Sequence, residues 1–141
     1  ILISSERAGF DHQYGLWYGM MDYFTHERGG RVDWYRDDKP LDEKGYATHL
    51  IANEAIRLIK QQPKDKPLFL YVPFNAVHGP FQVPDEYLPP YKNLPKSRQV
   101  MAGMLAAVDD AVGQHLVGQR GAREVVQRVE VALRAVIVLH K

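Results

Sequence analysis

Residues 68–84 read LFLYVPFNAVHGPFQVP, an apolar run that passes into a proline-rich loop with one histidine. A short apolar run bounded by turn residues predicts a strand that is covered on both faces. The prolines from Pro73 to Pro95 exclude a continuous helix or central strand after it, so a rigid, irregular loop is expected. His78 lies in this loop, five residues beyond Pro73. The sequence therefore places a titratable ring just past the end of an interior strand.

Helical patterns flank this strand on both sides. Between Tyr46 and Gln62, apolar residues recur at spacings of three and four, which predicts a helix with one buried stripe, capped by Asp42 or Thr48. A second apolar stripe follows Ser97, which is the expected N-cap of a second helix. Helix, turn and buried strand in this order predict the α/β fold class, with a sheet flanked by helices.

Two pairs of adjacent aspartates could suggest a metal site. Asp37 and Asp38 fall where residues 31–41 are expected to form a small hairpin, and turn aspartates commonly bond their own backbone. Asp109 and Asp110 are neighbours on the second predicted helix, where adjacent side chains point about 100° apart. A turn and a solvated helix face are therefore the favoured interpretations, and no residue is assigned as a metal ligand.

Composition restricts the partners. The chain has 141 residues, of which 45% are hydrophobic and 25% charged, as in a globular domain with a real core. A net charge of +1 creates no field that would attract nucleic acid or an acidic membrane, and neither is expected as a partner. The absence of cysteine excludes disulfides, thiolate zinc sites and cysteine nucleophiles, but it does not identify the compartment. The first residues, ILISSERAGFDH, lack a signal-peptide pattern and resemble a chain entered part-way through.

Residues 115–141 differ in character from the rest. They carry a net charge of +3, whereas residues 1–114 carry −2, and they contain no Asp, Asn, Pro or aromatic residue. Their valine and arginine content fits either a helix or strands. The expected organisation is thus a main segment over residues 1–114 and an atypical Arg/Val-rich tail over residues 115–141, whose fold stays open.

The histidines are the candidate functional residues. Ligands usually bind where the strands of an open α/β sheet end, and an imidazole there can hold an anion or pass a proton. His78 fits that description, although its position alone favours a loop histidine that is satisfied by a backbone carbonyl. His12 and His26 flank an aromatic run that could line a sugar or aryl pocket or simply pack in the core. His26 is the better substrate-binding candidate, because its polar neighbours predict exposure. His49 is expected to be solvated.

Three segments in order resemble the sulfatase family, especially its arylsulfatase B-like branch within the alkaline phosphatase superfamily. They are residues 9–30, GFDHQYGLWYGMMDYFTHERGG; residues 66–91, KPLFLYVPFNAVHGPFQVPDEYLPPY; and residues 101–114, MAGMLAAVDDAVGQ. The resemblance covers about residues 9–114. It implies a partial sulfatase-like sheet flanked by helices, an internal fragment of a catalytic domain.

The resemblance also implies a chemistry. Sulfatases hydrolyse sulfate esters with a formylglycine, made from the Cys or Ser of a C/S-x-P-x-R motif, beside a calcium ion. His78 matches the family histidine that contacts sulfate on the leaving-group side, as anion binder and proton donor. The implied substrate is a small sulfate ester or a sulfated carbohydrate. A full-length parent would be periplasmic, secreted or lysosomal.

The sequence departs from the family pattern in three places. It contains no C/S-x-P-x-R motif and no DNG segment after Gln114. The family's paired aspartates and its GKWHLG segment would fall before residue 1. We therefore expect the isolated chain to hold neither calcium nor formylglycine and to be inactive. The alternatives are a phosphate or phosphonate ester hydrolase of the same superfamily, and a non-catalytic truncated fragment.

Overall fold

Short strands and two helices alternate along the chain. The structure is a computed structural model that describes residues 9–63 and 65–113, together with the backbone of residues 136–139. The helices are α1 (Ala47–Gln61) and α2 (Lys96–Asp110), and two 3₁₀ turns, Asp85–Tyr87 and Pro89–Tyr91, precede α2. The strands are β1 (His12–Gly15), β2 (Glu27–Arg28), β3 (Arg31–Val32), β4 (Tyr35–Arg36), β5 (Lys39–Pro40), β6 (Phe69–Tyr71) and β7 (Val136–Leu139).

The strands form one larger sheet and one separate hairpin. The larger sheet has the order β5-β4-β1-β7-β6, and each of its pairs is antiparallel. The pair β2-β3 stands apart as a hairpin. Helix α1 packs against β1 and contacts α2. The predicted α/β fold class, a partial sheet flanked by helices, is confirmed.

Helix α1 has the buried stripe that its sequence predicts. Ala47, Ile51, Ala52 and Ala55 are buried in a core that also contains Trp34. The predicted caps are wrong for both helices. No side chain caps α1, whose N-cap position is Tyr46, and α2 follows Pro95 rather than Ser97. The fixed φ of proline lets a helix begin there without a polar cap.

Strand β6 differs from its prediction, whereas the first hairpin agrees with it. Leu70 is buried but Phe69 is 49% exposed, so this strand is not covered on both faces. Between β4 and β5, Asp37 and Asp38 have φ values of 49° and 62°, as a two-residue hairpin turn requires, which confirms the turn interpretation of this pair.

The predicted tail is described in only one place. Its residues 136–139 form β7, which pairs with β1 on one side and β6 on the other. Residues 115–135, 140 and 141 lie outside the described part of the chain. Neither α1 nor α2 has the length and apolar character that crossing a bilayer requires.

Candidate functional site

His78 lies in the loop between β6 and the first 3₁₀ turn, with its side chain exposed. Its Nδ1 is 2.9 Å from the carbonyl oxygen of Gly79. A carbonyl only accepts hydrogen bonds, so Nδ1 carries the proton in the neutral ring and Nε2 gains one only in the imidazolium form. Within the described ranges, no hydrogen bond to Nε2 is formed. One ring nitrogen is therefore satisfied by the backbone, and the other is available to a ligand.

A buried tyrosine holds the backbone of this loop. The hydroxyl of Tyr23 is 2.8 Å from the carbonyl oxygen of Asn75 and 2.9 Å from that of His78, and its single proton is shared between them. Tyr23 is 0% exposed, and burial raises the pKa of its hydroxyl, which therefore remains a donor. The amide of His78 closes the same turn by donating to the carbonyl oxygen of Asn75 at 2.9 Å. Both backbone groups of His78 are thus fixed.

A second contact joins the loop to residues 22–25. The Gln82 side chain accepts from the backbone N–H of Tyr23 at 2.8 Å and donates to the carboxylate of Asp22. The other carboxylate oxygen of Asp22 accepts from the amides of Phe24 and Thr25 at 2.9 and 2.8 Å. Burial tends to raise the pKa of Asp22, but these hydrogen bonds, with that of Gln82 foremost, hold it below its usual value. The carboxylate is thus committed to holding the two loops together.

An open hollow lies beside the loop that carries His78. Its volume is about 490 Å³, within the size range of small-molecule sites. One wall is Gly79 and Pro80, which directly follow His78. The remaining lining is Met20, Met21, Asp22, Glu27, Arg28 and Gly29. The hollow is thus bounded both by the loop that carries His78 and by the β2-β3 hairpin.

His26 lies elsewhere, and its predicted exposure is wrong. The side chain is 1% exposed, stacks on Trp34 with ring centroids 4.6 Å apart, and places Nε2 3.1 Å from the carbonyl oxygen of Gly45. Burial lowers its pKa, against the opposing effect of that carbonyl. The polar residues around it are exposed, but the ring itself turns into the core. The substrate-binding assignment of His26 rests on its expected exposure, so the reason for that assignment does not hold.

His12 belongs to a charge cluster between β1, the first hairpin and α1. Its Nδ1 is 2.6 Å from Asp37 and its Nε2 is 2.8 Å from Glu54. Glu54 is 4% exposed and also accepts from Arg57 at 2.6 and 2.9 Å, with Arg36 at 3.4 Å. Burial alone would raise the pKa of Glu54, but hydrogen bonds from Arg57 and His12, with the charges of both arginines, lower it to about 2. The cluster ties the sheet to the helix.

Two further expectations concern the surface of the helices. His49 is not simply solvated, because its Nε2 is 3.0 Å from the Tyr87 hydroxyl and its ring contacts Tyr46 edge-on. Through this contact Tyr87 fastens the proline-rich loop to α1. Asp109 is exposed as expected, whereas Asp110 is half-buried and interacts with Tyr87.

The described residues do not fit a calcium ion or a formylglycine. Among them, no three His, Asp or Glu side chains are grouped closely enough to hold a metal ion. The sequence contains no cysteine and no serine in the required motif. The contribution of the described chain is therefore its histidine loop and the groups around it.

No spacing pattern in the sequence identifies the groups that support His78. Tyr23 and Gln82 act on residues 52 to 60 positions away in the sequence, which no periodicity reports. A usable signal did exist for the β2-β3 hairpin, since Gly29 and Gly30 between short polar strands form a typical two-residue turn.

Comparison with known proteins places these features in a family. The sequence model of the Sulfatase family matches residues 4–117. Arylsulfatase J of Mus musculus is 31% identical over 115 residues, which cover 75% of this chain and 19% of that protein. The N-acetylglucosamine-6-O-sulfatase of Bacteroides thetaiotaomicron is 36% identical over 76 residues, covering 52% of this chain and 12% of that protein.

A solved structure gives the same result. The crystal structure of Ps i-CgsB in complex with k-i-k-neocarrahexaose has a TM-score of 0.73 and 28% sequence identity to this chain. The match covers 86% of this chain and 30% of that one. The chain thus spans less than a fifth of the curated relatives that it matches and about a third of this structural neighbour.

Proposed function

The chain belongs to the sulfatase family, and from this premise we propose that His78 binds and protonates the leaving-group side of a sulfate ester. The observation that carries the proposal is the ring's hydrogen bonding on an exposed residue: Nδ1 donates to the Gly79 carbonyl, and Nε2 has no hydrogen-bond partner among the described residues. In the imidazolium form, the Nε2–H donates to an ester or sulfate oxygen, a charge-assisted hydrogen bond. Membership of this family implies that the whole protein hydrolyses sulfuric esters.

The proton movement in this step is simple. When a nucleophile from outside the described residues forms a bond to sulfur, the bond between sulfur and the ester oxygen breaks. The Nε2 proton of His78 passes to that oxygen, which leaves as an alcohol. The remaining neutral imidazole already has its Nδ1 proton directed at Gly79, so no change of tautomer is needed. Tyr23 acts as a positioning residue, because it fixes the carbonyl of His78 rather than touching the substrate.

We further propose that the substrate is a sulfated carbohydrate. Two of the matched proteins support this, one by its name as an N-acetylglucosamine-6-O-sulfatase and one by its bound carrageenan-type oligosaccharide. The hollow of about 490 Å³ beside Gly79 and Pro80 offers room for a sugar ring. Nothing in the comparisons favours a phosphate or phosphonate ester.

The proposal is tested by binding, which the 141-residue chain can report without turnover. The ¹⁵N-labelled chain is titrated with N-acetylglucosamine-6-sulfate, and unsulfated N-acetylglucosamine serves as the ligand control. His78→Gln should weaken binding of the sulfated sugar about tenfold, as expected for loss of one charge-assisted hydrogen bond. His49→Gln is the matched control on α1 and should bind like the wild type.

Equal affinities of the wild type and His78→Gln for the sulfated sugar would contradict the proposal. So would equal binding of the sulfated and unsulfated sugars.

A further inference from the structure

The hairpin of β2 and β3 carries two arginines side by side. Arg28 and Arg31 are cross-strand partners, and both are exposed. Gly29 and Gly30 connect them with φ values of 58° and 76°, a conformation that glycine adopts without strain. Directly opposed residues of an antiparallel pair lie on one face with Cβ atoms about 5 Å apart. Two guanidinium groups therefore share one face at the end of a short, well-defined turn.

Nothing in the described ranges neutralises this pair. The ion pairs there involve His12, Arg36, Lys44 and Arg57, and neither hairpin arginine lies within 4.0 Å of a carboxylate oxygen. Like charges in direct opposition destabilise a hairpin. The arrangement therefore has a cost in stability that no ion pair among the described residues offsets.

The geometry of Arg28 prepares it for an anionic ligand. Its guanidinium carbon lies over the Tyr18 ring, 5.0 Å from the ring centroid, which is a cation–π contact. Within the described ranges no hydrogen bond occupies its N–H donors, which can bind the oxygen atoms of an anion in a bidentate manner. The side chain is thus restrained while its donors remain available.

One of the two arginines lines the hollow beside the loop that carries His78. Arg28 and Gly29 line it together with Gly79 and Pro80, the two residues that follow His78. Met20, which is 42% exposed, gives this hollow an apolar surface suited to the C–H face of a sugar. The Glu27 carboxylate also lines the hollow, where it can accept hydroxyl protons of a sugar. The negative charge of Glu27 disfavours an anion beside it, so the anion is expected beside the arginines.

We propose that Arg28 and Arg31 bind a second anionic group, a sulfate or a carboxylate, of a carbohydrate whose scissile sulfate lies at His78. The inference rests on the proposed function and narrows its substrate class to carbohydrates that carry a further negative charge beside the sulfate ester. The anion would offset the repulsion between the two arginines, and the hollow would hold the sugar that joins the two groups.

The test compares three probes with the full chain at an ionic strength of 0.15 M. The probes are disaccharides with one sulfate, with a sulfate on each ring, and with one sulfate and one uronate carboxylate. The wild type should bind both dianionic probes about tenfold more tightly than the monosulfate. Arg28→Gln and Arg31→Gln should each remove most of this preference. Arg31 does not line the hollow, so Arg31→Gln should leave the affinity for the monosulfate within twofold. Whichever dianion binds more tightly identifies the anionic group.

A control variant excludes a general charge effect. Arg98→Gln removes an exposed arginine of α2 and should keep the full preference for dianions. The inference is overturned if the wild type has no preference for the dianionic probes. It is also overturned if Arg98→Gln weakens dianion binding as much as the hairpin variants do. The variant His78→Gln separates the two proposals, because it should weaken the binding of all three probes by the same factor. If His78→Gln binds all three probes like the wild type while the arginine variants behave as expected, only the proposed function is contradicted.

Discussion

Removal of the Tyr23 hydroxyl tests how the histidine loop is held. Tyr23→Phe keeps the ring and its stacking on Tyr46, whose centroid is 5.6 Å away, but leaves the carbonyls of Asn75 and His78 without their shared donor. Loss of such a donor from a buried position costs about 1 to 2 kcal/mol in the free energy of unfolding. We expect this loss in urea denaturation, with an unchanged slope.

A matched variant and a local probe make the result specific. Tyr35→Phe removes a hydroxyl that is 3.5 Å from the Val32 carbonyl at an exposed site, and its effect should stay within about 0.5 kcal/mol. Amide hydrogen exchange should report faster opening at His78 in Tyr23→Phe, because the turn bond to Asn75 is no longer supported. Equal stabilities of the two variants, or unchanged exchange at His78, would refute the positioning role of Tyr23.

Three further predictions concern charge. The pKa of Glu54 is about 2 in the folded state and 4.5 in the unfolded reference, so its stabilisation is present above pH 4.5 and is lost towards pH 2. Between pH 7 and pH 3 the wild type should lose about 2 kcal/mol more than Glu54→Gln in urea denaturation, and parallel curves would contradict this. Burial lowers the folded pKa of His26 below its unfolded value, so stability should fall as pH drops from about 7 to 5. His26→Asn should flatten this slope, and an unchanged slope would show that another group causes it. Arg31→Glu replaces a like-charge cross-strand pair with an opposite-charge pair and should raise the free energy of unfolding by about 0.5 to 1 kcal/mol while weakening dianion binding. No gain in stability would mean that the two arginines do not repel each other.

The parts of the fold that local patterns govern could be predicted from the sequence. The apolar stripe of α1 and the hairpin at Asp37 and Asp38 depend on spacing and turn chemistry within a few residues, and both are confirmed. The exposure of His26 could not be predicted in this way. Its neighbours are polar, but its ring is drawn into the core by Trp34, which follows in the chain after a complete hairpin.

The same limit applies to the candidate site. The position of His78 after β6 follows from the proline pattern, and the family resemblance supplies its proposed chemistry. The availability of Nε2 depends on one backbone carbonyl, and the rigidity of the loop depends on Tyr23 and Gln82, which lie on separate segments. Such contacts form only after the chain has folded, so no local pattern in the sequence reports them.

The central claim is that one nitrogen of His78 is committed to the backbone while the other binds the sulfate group. The most direct measurement is the ¹⁵N chemical shifts of its ring nitrogens during a titration with N-acetylglucosamine-6-sulfate. The account predicts a change at Nε2 with Nδ1 still bonded to the Gly79 carbonyl. Saturation of the chain with neither nitrogen affected, or with Nδ1 alone affected, would contradict it.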